Sequence, residues 1–257
     1  MSKTVLLSMD GNVATITLNR PNSMNAMDVE LLNELLATLK EVKESNAKIV
    51  MITGEGKAFS AGGDIKTMLQ GTDPNAFQEV MNTIKEMMVT LYTLPAITVS
   101  VVNGAAAGLG LSFALASDFV VAHEKAILAM NFIGIGLIPD GGGHFFMEKR
   151  LGAVKAKQVI WEGKKMTSKE ALSIGLVDDV ITGEMNEYLT RKVGLLLSSP
   201  LKAMIETKLI YAEYDKQKLL EMLDRETVGQ QKMRATKDHK EGITAFLEKR
   251  NPEFKGE

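Results

Sequence analysis

The fold is decided by residues 48–66, which read KIVMIT (48–53) followed by GEGKAFSAGGDIK (54–66). The first six residues are a short apolar run typical of a buried strand, and the remainder is a glycine-rich turn. The same order returns at AITVSV (96–101) followed by NGAAAGLG (103–110), and a third glycine-rich turn occurs at IPDGGG (138–143). Helical patterns separate the strands. This alternation predicts an α/β fold with mostly parallel strands.

The two ends of the chain differ from this middle part. Near the N-terminus, β-rich runs at 5–9 and 13–18 flank a turn of Asp, Gly and Asn, and they predict a hairpin. Asp28 then precedes leucines at helical spacing, which predicts a capped helix. Beyond about residue 185 the strand patterns stop, and the remaining helices are rich in Lys and Glu. We expect those helices to dock on the rest of the chain or on another subunit.

Composition and charge argue against several classes of protein. The 257 residues have a formal net charge of -2 and include no Cys. The balanced charge gives no electrostatic case for nucleic acid or an anionic membrane surface. The lack of Cys excludes disulfides, thiolate catalysis and zinc–sulfur sites. With no signal-peptide pattern and no apolar run long enough for a membrane span, we expect a cytoplasmic protein.

The glycine-rich turns fit an oxyanion better than a nucleotide. The second turn has Gly104, Gly108 and Gly110, which is the wrong spacing for a dinucleotide fingerprint. No turn ends in the Gly-Lys-Ser/Thr of a phosphate loop. Turns of small residues at helix starts present free N–H groups, and these suit an oxyanion. The alternative is that the glycines only permit tight turns.

Five motifs, in order along nearly the whole chain, resemble those of the crotonase (enoyl-CoA hydratase/isomerase) superfamily. They are NRP (19–21) with NAM (25–27), KAFSAGGDI (57–65), residues 103–118, TSKEALSIGLV (167–177), and residues 241–250. The resemblance implies a crotonase-like spiral of repeated β-β-α units over residues 1–199. It also implies a C-terminal helical trimerisation region over residues 200–257, and hence a homotrimer or a dimer of trimers.

The resemblance further implies an oxyanion hole and a coenzyme A site. The N–H groups of Gly63 and Leu109 would bind the thioester oxygen, each at a helix start where the helix dipole favours negative charge. Coenzyme A, as part of the thioester substrate, is expected at Ala26, Lys57, Ala61, Gly62, Asp64 and Ile65, and at Lys249 of a neighbouring subunit. The alternatives are a helix N-cap for Asp64 and solvated surface charges for the lysines. No metal or redox cofactor is implied.

The chain departs from the family's hydratases at both of their catalytic glutamates. The matching positions hold Ser112 and Phe132. Adding water to a double bond needs a base for the water and a proton donor for carbon. An unassisted serine is too weak a base, and phenylalanine transfers no proton. The pattern therefore argues against simple hydration.

Asp140 offers a different chemistry. It resembles the single aspartate of some family isomerases, and its apolar sequence neighbours predict a raised pKa. One carboxylate suffices to move a double bond, because it takes a proton from one carbon and returns it to another. We therefore expect an enoyl-CoA isomerase. A hydratase that uses Asp140 with Ser112 and a non-catalytic coenzyme A-binding partner protein stay open, as does an aspartate that only turns the corner.

Two further hypotheses concern the surroundings of Asp140. Family dehalogenases use an aspartate at this place but need a histidine before the second turn, where this chain has none. His144 is expected to pack in the turn. The acyl group is expected near Ser112, Phe132, Met68 and Met88. Met88 lies on an apolar stripe of the helix predicted over residues 74–93, and the alternative is that this stripe is core.

Overall fold

The computed structural model of the chain describes residues 3–64 and 74–257. Its strands are β1 (Val5–Asp10), β2 (Val13–Leu18), β3 (Ile49–Gly54), β4 (Ala58–Ser60), β5 (Ile97–Val102), β6 (Ala105–Ala107), β7 (Phe119–His123), β8 (Ile127–Ala129), β9 (Met166–Thr167) and β10 (Asp179–Ile181). Its helices are α1 (Val29–Glu44), α2 (Pro74–Tyr92), α3 (Leu109–Leu115), α4 (Gly143–Glu162), α5 (Ser168–Ser173), α6 (Met185–Leu197), α7 (Leu201–Arg234) and α8 (Lys237–Glu248). Short 3-10 helices occur at Pro21–Ser23 and Asn131–Ile135. Ile65 and Met68, expected at the coenzyme A site and the acyl pocket, lie outside the described residues.

The strands alternate between two sheets. The larger sheet has the order β1-β2-β3-β5-β7-β10, and the smaller has the order β4-β6-β8-β9. The successive pairs β3-β4, β5-β6 and β7-β8 therefore each give one strand to each sheet before the chain enters a helical segment. From β2 to β10, each strand of the larger sheet runs parallel to the next one in that order. This repeat confirms the predicted α/β spiral of β-β-α units.

The parallel strands of the larger sheet are covered on both faces, which explains their nearly continuous apolar sequence. All six residues of β5 are buried. In β3, Ile49 and Met51 face a cluster that also contains Leu196 of α6. Val50 and Ile52, on the opposite face, belong to the larger core that α1 to α4 complete.

The N-terminal end has the two elements that its sequence predicts, a hairpin and a capped helix. Strands β1 and β2 pair antiparallel from Val5 opposite Leu18 to Asp10 opposite Val13. Gly11 has a φ of 56°, a left-handed conformation that suits this tight turn. The side chain of Asp28 caps α1 by accepting a hydrogen bond from the Leu31 N–H at 2.9 Å.

The C-terminal helices pack on the core of their own chain. Helix α7 has 34 residues, and its Leu219 and Leu223 belong to the larger hydrophobic core. Further contacts join it to α2, α4 and the larger sheet. Long helices of this kind raise the question of a membrane span, but none in the described part of the chain is apolar enough over a sufficient length to cross a bilayer.

Candidate active site

An apolar cavity of about 150 Å³ is lined by α1, α2 and α7 and reaches the glycine-rich turns. Its wall consists of Met27, Asp28, Val29, Leu32, Gly63, Asp64, Ala76, Phe77, Val80, Met81, Ile84, Leu109, Asp140, Gln230 and Arg234. The three residues predicted to carry out the chemistry, Gly63, Leu109 and Asp140, thus share one pocket. An apolar pocket with a few convergent polar groups is the usual form of a small-molecule site.

Gly63 presents its N–H away from the strand-like bridge that holds it. In a parallel bridge the two residues on either side of the bridged residue make the hydrogen bonds. Here Met27 donates to the Gly62 carbonyl at 2.7 Å, and the Asp64 N–H donates to the Met27 carbonyl at 3.1 Å. The N–H of Gly63 is paired with no acceptor among the described residues, so it is available to a ligand.

Leu109 presents a second free N–H because it is the first residue of α3. The first hydrogen bond of this helix runs from the Ser112 N–H to the Gly108 carbonyl at 3.0 Å. The N–H of a first helical residue has no carbonyl partner within its helix. Within residues 3–64 and 74–257, no other acceptor is paired with the Leu109 N–H.

The two free N–H groups belong to loops that touch. Gly62 has a φ of 92°, and a Cβ at this position would lie 2.6 Å from the Ala107 oxygen and 3.3 Å from the Leu109 nitrogen. Only a residue without a side chain permits this approach. The glycine-rich turns therefore bring Gly63 and Leu109 close together, as an oxyanion hole requires.

The carboxyl group of Asp140 is sealed from solvent on one side and hydrogen-bonded on the other. Its Oδ2 accepts a hydrogen bond from Gln230 Nε2 at 3.1 Å, whereas Oδ1 is buried without a partner among the described residues. The residue as a whole is partly exposed, so a carboxyl group with one buried oxygen still lines the pocket. The pKa of Asp140 is raised to about 8, mainly by burial and secondly by the negative charge of Glu226.

Glu226 on α7 binds the turn that carries Asp140, and reasoning from sequence missed it. It is only 2% exposed, and its Oε2 accepts a hydrogen bond from the Gly142 N–H at 2.7 Å. Its Oε1 accepts from the His144 N–H at 3.0 Å and lies 2.8 Å from His144 Nδ1. His144, the second residue of α4, is therefore a polar residue at the end of the turn, bound to Glu226. A charged residue in a polar helix ordinarily faces solvent, so no local signal singled out Glu226.

Gln230 and Arg234 complete the contribution of α7. Together with Glu226 they are spaced four residues apart, which puts all three on one helix face. Gln230 is 2% exposed, and its Nε2 also donates to the Ile138 carbonyl at 2.7 Å. The guanidinium of Arg234 lies 4.9 Å from the centre of the Phe77 ring. No group of three or more His, Asp or Glu able to hold a metal ion occurs within the described residues.

Three residues expected around the acyl group do not line the pocket. Met88 has no exposed surface and belongs to the hydrophobic core, so the structural interpretation of its helical stripe applies. Ser112 is fully buried, and its Oγ donates a hydrogen bond to the Gly108 carbonyl at 3.4 Å. Phe132 is 8% exposed and packs beside Gly108. The pocket-facing residues of α2 are instead Ala76, Phe77, Val80, Met81 and Ile84.

The residues expected at coenzyme A lie on or near the first glycine-rich turn, with one exception. Lys57 is exposed, Ala61 is half-buried and Ala26 is 9% exposed. Lys249 is also exposed but ends α8 in a left-handed conformation, with a φ of 57°. The expected contact of Lys249 with a neighbouring subunit's ligand stays a prediction.

Arg20, in the NRP motif at residues 19–21, links this motif to the first glycine-rich turn. Its guanidinium contacts the Ala26 carbonyl and pairs with Asp28 at 2.8 Å and with Asp64 at 3.3 Å. It thereby ties the first glycine-rich turn to the start of α1. Asp64 lines the pocket and is an ion-pair partner of Arg20.

Comparisons with known proteins identify the family to which this fold and site belong. The family model for enoyl-CoA hydratase/isomerase matches residues 8–257. The chain therefore belongs to the enoyl-CoA hydratase/isomerase family, within the crotonase superfamily. The resemblance expected from the five motifs is confirmed, and with it a family of enzymes that act on acyl-CoA thioesters.

The similar proteins have different activities in their names. YhaR of Bacillus subtilis (strain 168), named as a candidate enoyl-CoA hydratase/isomerase, is 48% identical over 97% of this chain and 98% of its own length. The trans-2-decenoyl-[acyl-carrier-protein] isomerase of Streptococcus mutans is 31% identical over 99% of this chain and 98% of its own. The crystal structure of an enoyl-CoA hydratase from Mycobacterium avium subsp. paratuberculosis K-10 superposes with a TM-score of 0.88, at 31% identity and 98% coverage of both chains.

Proposed function

We propose that this protein is an enoyl-CoA isomerase that moves a carbon–carbon double bond through a thioester dienolate. The observation that carries the proposal is the shared pocket of Asp140 and the free N–H groups of Gly63 and Leu109. A proton-transfer group and an oxyanion site are the two elements that this reaction needs.

The reaction needs one carboxyl group and no cofactor. The Asp140 carboxylate removes a proton from the α-carbon of a 3-enoyl thioester, and the electron pair moves into the thioester carbonyl. The N–H groups of Gly63 and Leu109 hydrogen-bond to the oxygen that becomes negative. Asp140, now protonated, returns the proton to the γ-carbon, and the product is the 2-enoyl thioester. Each proton and electron pair is accounted for within substrate and enzyme.

The environment of Asp140 suits this role. A carboxylate with an ordinary pKa is a weak base toward a carbon acid, whereas burial raises the pKa of Asp140 to about 8. A base whose pKa lies near the working pH combines a useful ionised fraction with a stronger pull on the proton. The apolar wall of the pocket supplies that burial and also accommodates an apolar acyl group.

Isomerisation is favoured over hydration because Asp28 and Asp64 of the pocket wall are ion-paired with Arg20, which leaves Asp140 as the reacting carboxyl where the family's hydratases use two. Ser112 and Phe132 occupy the positions of the hydratase glutamates, and neither lines the pocket. A relative from Streptococcus mutans, 31% identical, is named as a trans-2-decenoyl-[acyl-carrier-protein] isomerase, and this supports the proposal. Its name also specifies an acyl-carrier-protein thioester, so thioesters other than those of coenzyme A belong among the test substrates.

Hydration by an enoyl-CoA hydratase is the second candidate, and one observation favours it. Asp140 Oδ1 and Gln230 Oε1 are both buried acceptors without a partner among the described residues. A water molecule that donated to both would satisfy them and would lie beside the reacting carboxyl. The hydratase from Mycobacterium avium subsp. paratuberculosis carries this activity in its name.

We also infer that coenzyme A binds along the first glycine-rich turn, with Lys57 near its phosphates and Lys249 reaching it from a second subunit. This requires the homotrimer or dimer of trimers that the resemblance implies. Light scattering after size-exclusion chromatography measures the mass directly. A monomer of 28.0 kDa would refute both the assembly and the role of Lys249.

The decisive experiment follows 3-enoyl and 2-enoyl thioesters by NMR in deuterated water. Coenzyme A and pantetheine thioesters of several chain lengths, including ring-bearing ones, are compared with wild-type protein and Asp140→Asn. The matched control is Asp224→Asn, which changes an exposed aspartate of α7. We expect deuterium at the α- or γ-carbon with migration of the double bond, lost only in Asp140→Asn. Conversion of 2-enoyl thioesters to 3-hydroxyacyl thioesters would identify a hydratase instead. Thioester binding without exchange or turnover would refute both.

A further inference from the structure

Helix α7 holds the turn that carries Asp140 on both sides of the aspartate. On the C-terminal side, Glu226 accepts hydrogen bonds from the N–H groups of Gly142 and His144 at 2.7 and 3.0 Å. On the N-terminal side, Gln230 donates to the Ile138 carbonyl at 2.7 Å. The same amide nitrogen of Gln230 donates to Asp140 Oδ2 at 3.1 Å. The two α7 side chains thus bond to four residues of one short turn, including the reacting carboxyl itself.

Helix α7 packs directly against this turn at Gly229. A Cβ at Gly229 would lie 2.3 Å from Ile138 Cδ1. Gly229 precedes Gln230, so the side chain of Gln230 reaches the Ile138 carbonyl and Asp140 from a helix that touches the turn directly. Contacts of this kind fix a catalytic group more narrowly than a loop does alone.

We propose that Glu226 and Gln230 are positioning residues that hold the turn of Asp140 and fix its reacting carboxyl in place for proton transfer. This inference rests on the proposed function, in which Asp140 is the acid/base. Neither residue needs to touch the substrate. Their action is on the position of Asp140 and on the electrostatic environment of its carboxyl.

The two residues act on the protonation of Asp140 in opposite directions. The negative charge of Glu226 raises the pKa of Asp140, whereas the hydrogen bond from Gln230 lowers it. A buried carboxylate repels a second negative charge, and a donor stabilises the ionised form. A role in folding alone predicts no such opposition. Replacing Glu226 should therefore lower the pKa of Asp140, and replacing Gln230 should raise it.

Other charged groups around the pocket must be kept constant in any such experiment. They are Asp28 on α1, Asp64 on the first glycine-rich turn, Arg234 on α7, Arg20 paired with both aspartates, and His144 bonded to Glu226. The substitutions proposed below change none of these residues. A titration that persists after Asp140→Asn belongs to this surrounding set, and it can be subtracted.

The test compares Glu226→Gln and Gln230→Leu with the matched controls Glu221→Gln and Gln231→Leu. Both control positions are exposed residues of α7. The first readout is the pH dependence of kcat/KM for isomerisation. We expect its midpoint to fall by roughly one pH unit or more in Glu226→Gln and to rise in Gln230→Leu. We also expect kcat in Gln230→Leu to fall by roughly tenfold or more through misplacement of Asp140, with a much smaller change in KM. The controls should match wild type.

The second readout does not depend on activity. The melting temperature of each variant is measured from pH 5 to pH 9, alone and combined with Asp140→Asn, so that the part due to Asp140 is obtained by difference. A midpoint of this part that moves down in Glu226→Gln and up in Gln230→Leu supports the proposal even if no isomerase activity is found. In that case the proposed function fails by itself.

Two outcomes would overturn the inference. One is an Asp140 titration that stays at the wild-type pH in both variants. The other is a shift in the same direction in both, because it would indicate general loosening of the turn. If Glu226→Gln does not fold, Gln230→Leu still decides the matter, since only the positioning role predicts an upward shift with a loss in kcat rather than in KM.

Discussion

Replacing Asp140 by asparagine is expected to stabilise the protein at alkaline pH relative to wild type. The folded-state pKa of Asp140, about 8, lies well above the ordinary value of 3.8. For a group whose pKa is raised by folding, stability is complete below the unfolded-state pKa and is lost as pH rises through the folded-state pKa. The wild type should therefore lose stability from about pH 4 to pH 8, and Asp140→Asn should not show this loss.

The size of the effect follows from that difference in pKa. At about 1.4 kcal/mol for each unit of pKa, the full loss approaches about 6 kcal/mol, most of it accumulated before pH 8. Between pH 6 and pH 8 alone, the advantage of the variant should grow by about 2 kcal/mol. For a chain of this length that corresponds to a relative gain in melting temperature of roughly 4 to 8 °C.

The assay is thermal unfolding followed by circular dichroism at matched protein concentration, since association changes apparent stability. Wild type, Asp140→Asn and the exposed control Asp224→Asn are each melted at half-unit steps from pH 5 to pH 9. We expect the curves of wild type and Asp224→Asn to run parallel, and that of Asp140→Asn to separate upward as pH rises. If all three stay parallel between pH 6 and pH 8, Asp140 is an ordinary exposed carboxylate whose pKa is not raised by burial.

The kcat/KM for isomerisation should rise about tenfold per pH unit and level off near pH 8, because Asp140 must be ionised to act as the base; a pH-independent profile would exclude it. Gly62→Ala should lower kcat by roughly a hundredfold or more, since a Cβ there collides with the Ala107 carbonyl between the two oxyanion loops, whereas exposed Gly194→Ala should be silent in the same assay. Lys208→Met should lower the free energy of unfolding in denaturant by roughly 3 kcal/mol, because it breaks the ion pair of Asp118 with a lysine whose side chain is only 8% exposed. Lys40→Met, which breaks a solvated ion pair, is the control. Equal losses in the two variants would show that burial of the Lys208 pair has no effect.

The fold could be predicted from sequence because its signals are local. The apolar run at residues 48–53 becomes β3, and the hairpin forms around Gly11. Each of these elements depends on neighbours within a few positions, through strand propensity or turn chemistry. The glycine-rich turns could be predicted for the same reason, because glycine is the residue that most readily adopts the backbone conformation of a tight turn such as those at Gly62 and Gly108.

The surroundings of Asp140 could not be predicted in the same way. Glu226 and Gln230 follow it by 86 and 90 positions, and only packing of α7 brings them to the turn. Helical spacing shows that they share a face, but it does not say what that face covers. The position of Met88 could not be settled from sequence for the opposite reason. Its stripe is apolar all along, so the sequence could not separate the core positions from the pocket wall formed by Phe77, Met81 and Ile84.

The placement of Asp140 is better explained by function than by stability. Its ionised form is disfavoured by burial and by the neighbouring charge of Glu226, and one of its oxygens lacks a partner among the described residues. The carboxylate of Glu226, by contrast, is hydrogen-bonded to two backbone N–H groups and to the ring of His144, so its burial stabilises the turn. An apolar residue or asparagine at position 140 would avoid the penalty. A titrating group kept at such a cost, in a pocket beside two free N–H groups, is the arrangement expected of a site that transfers protons.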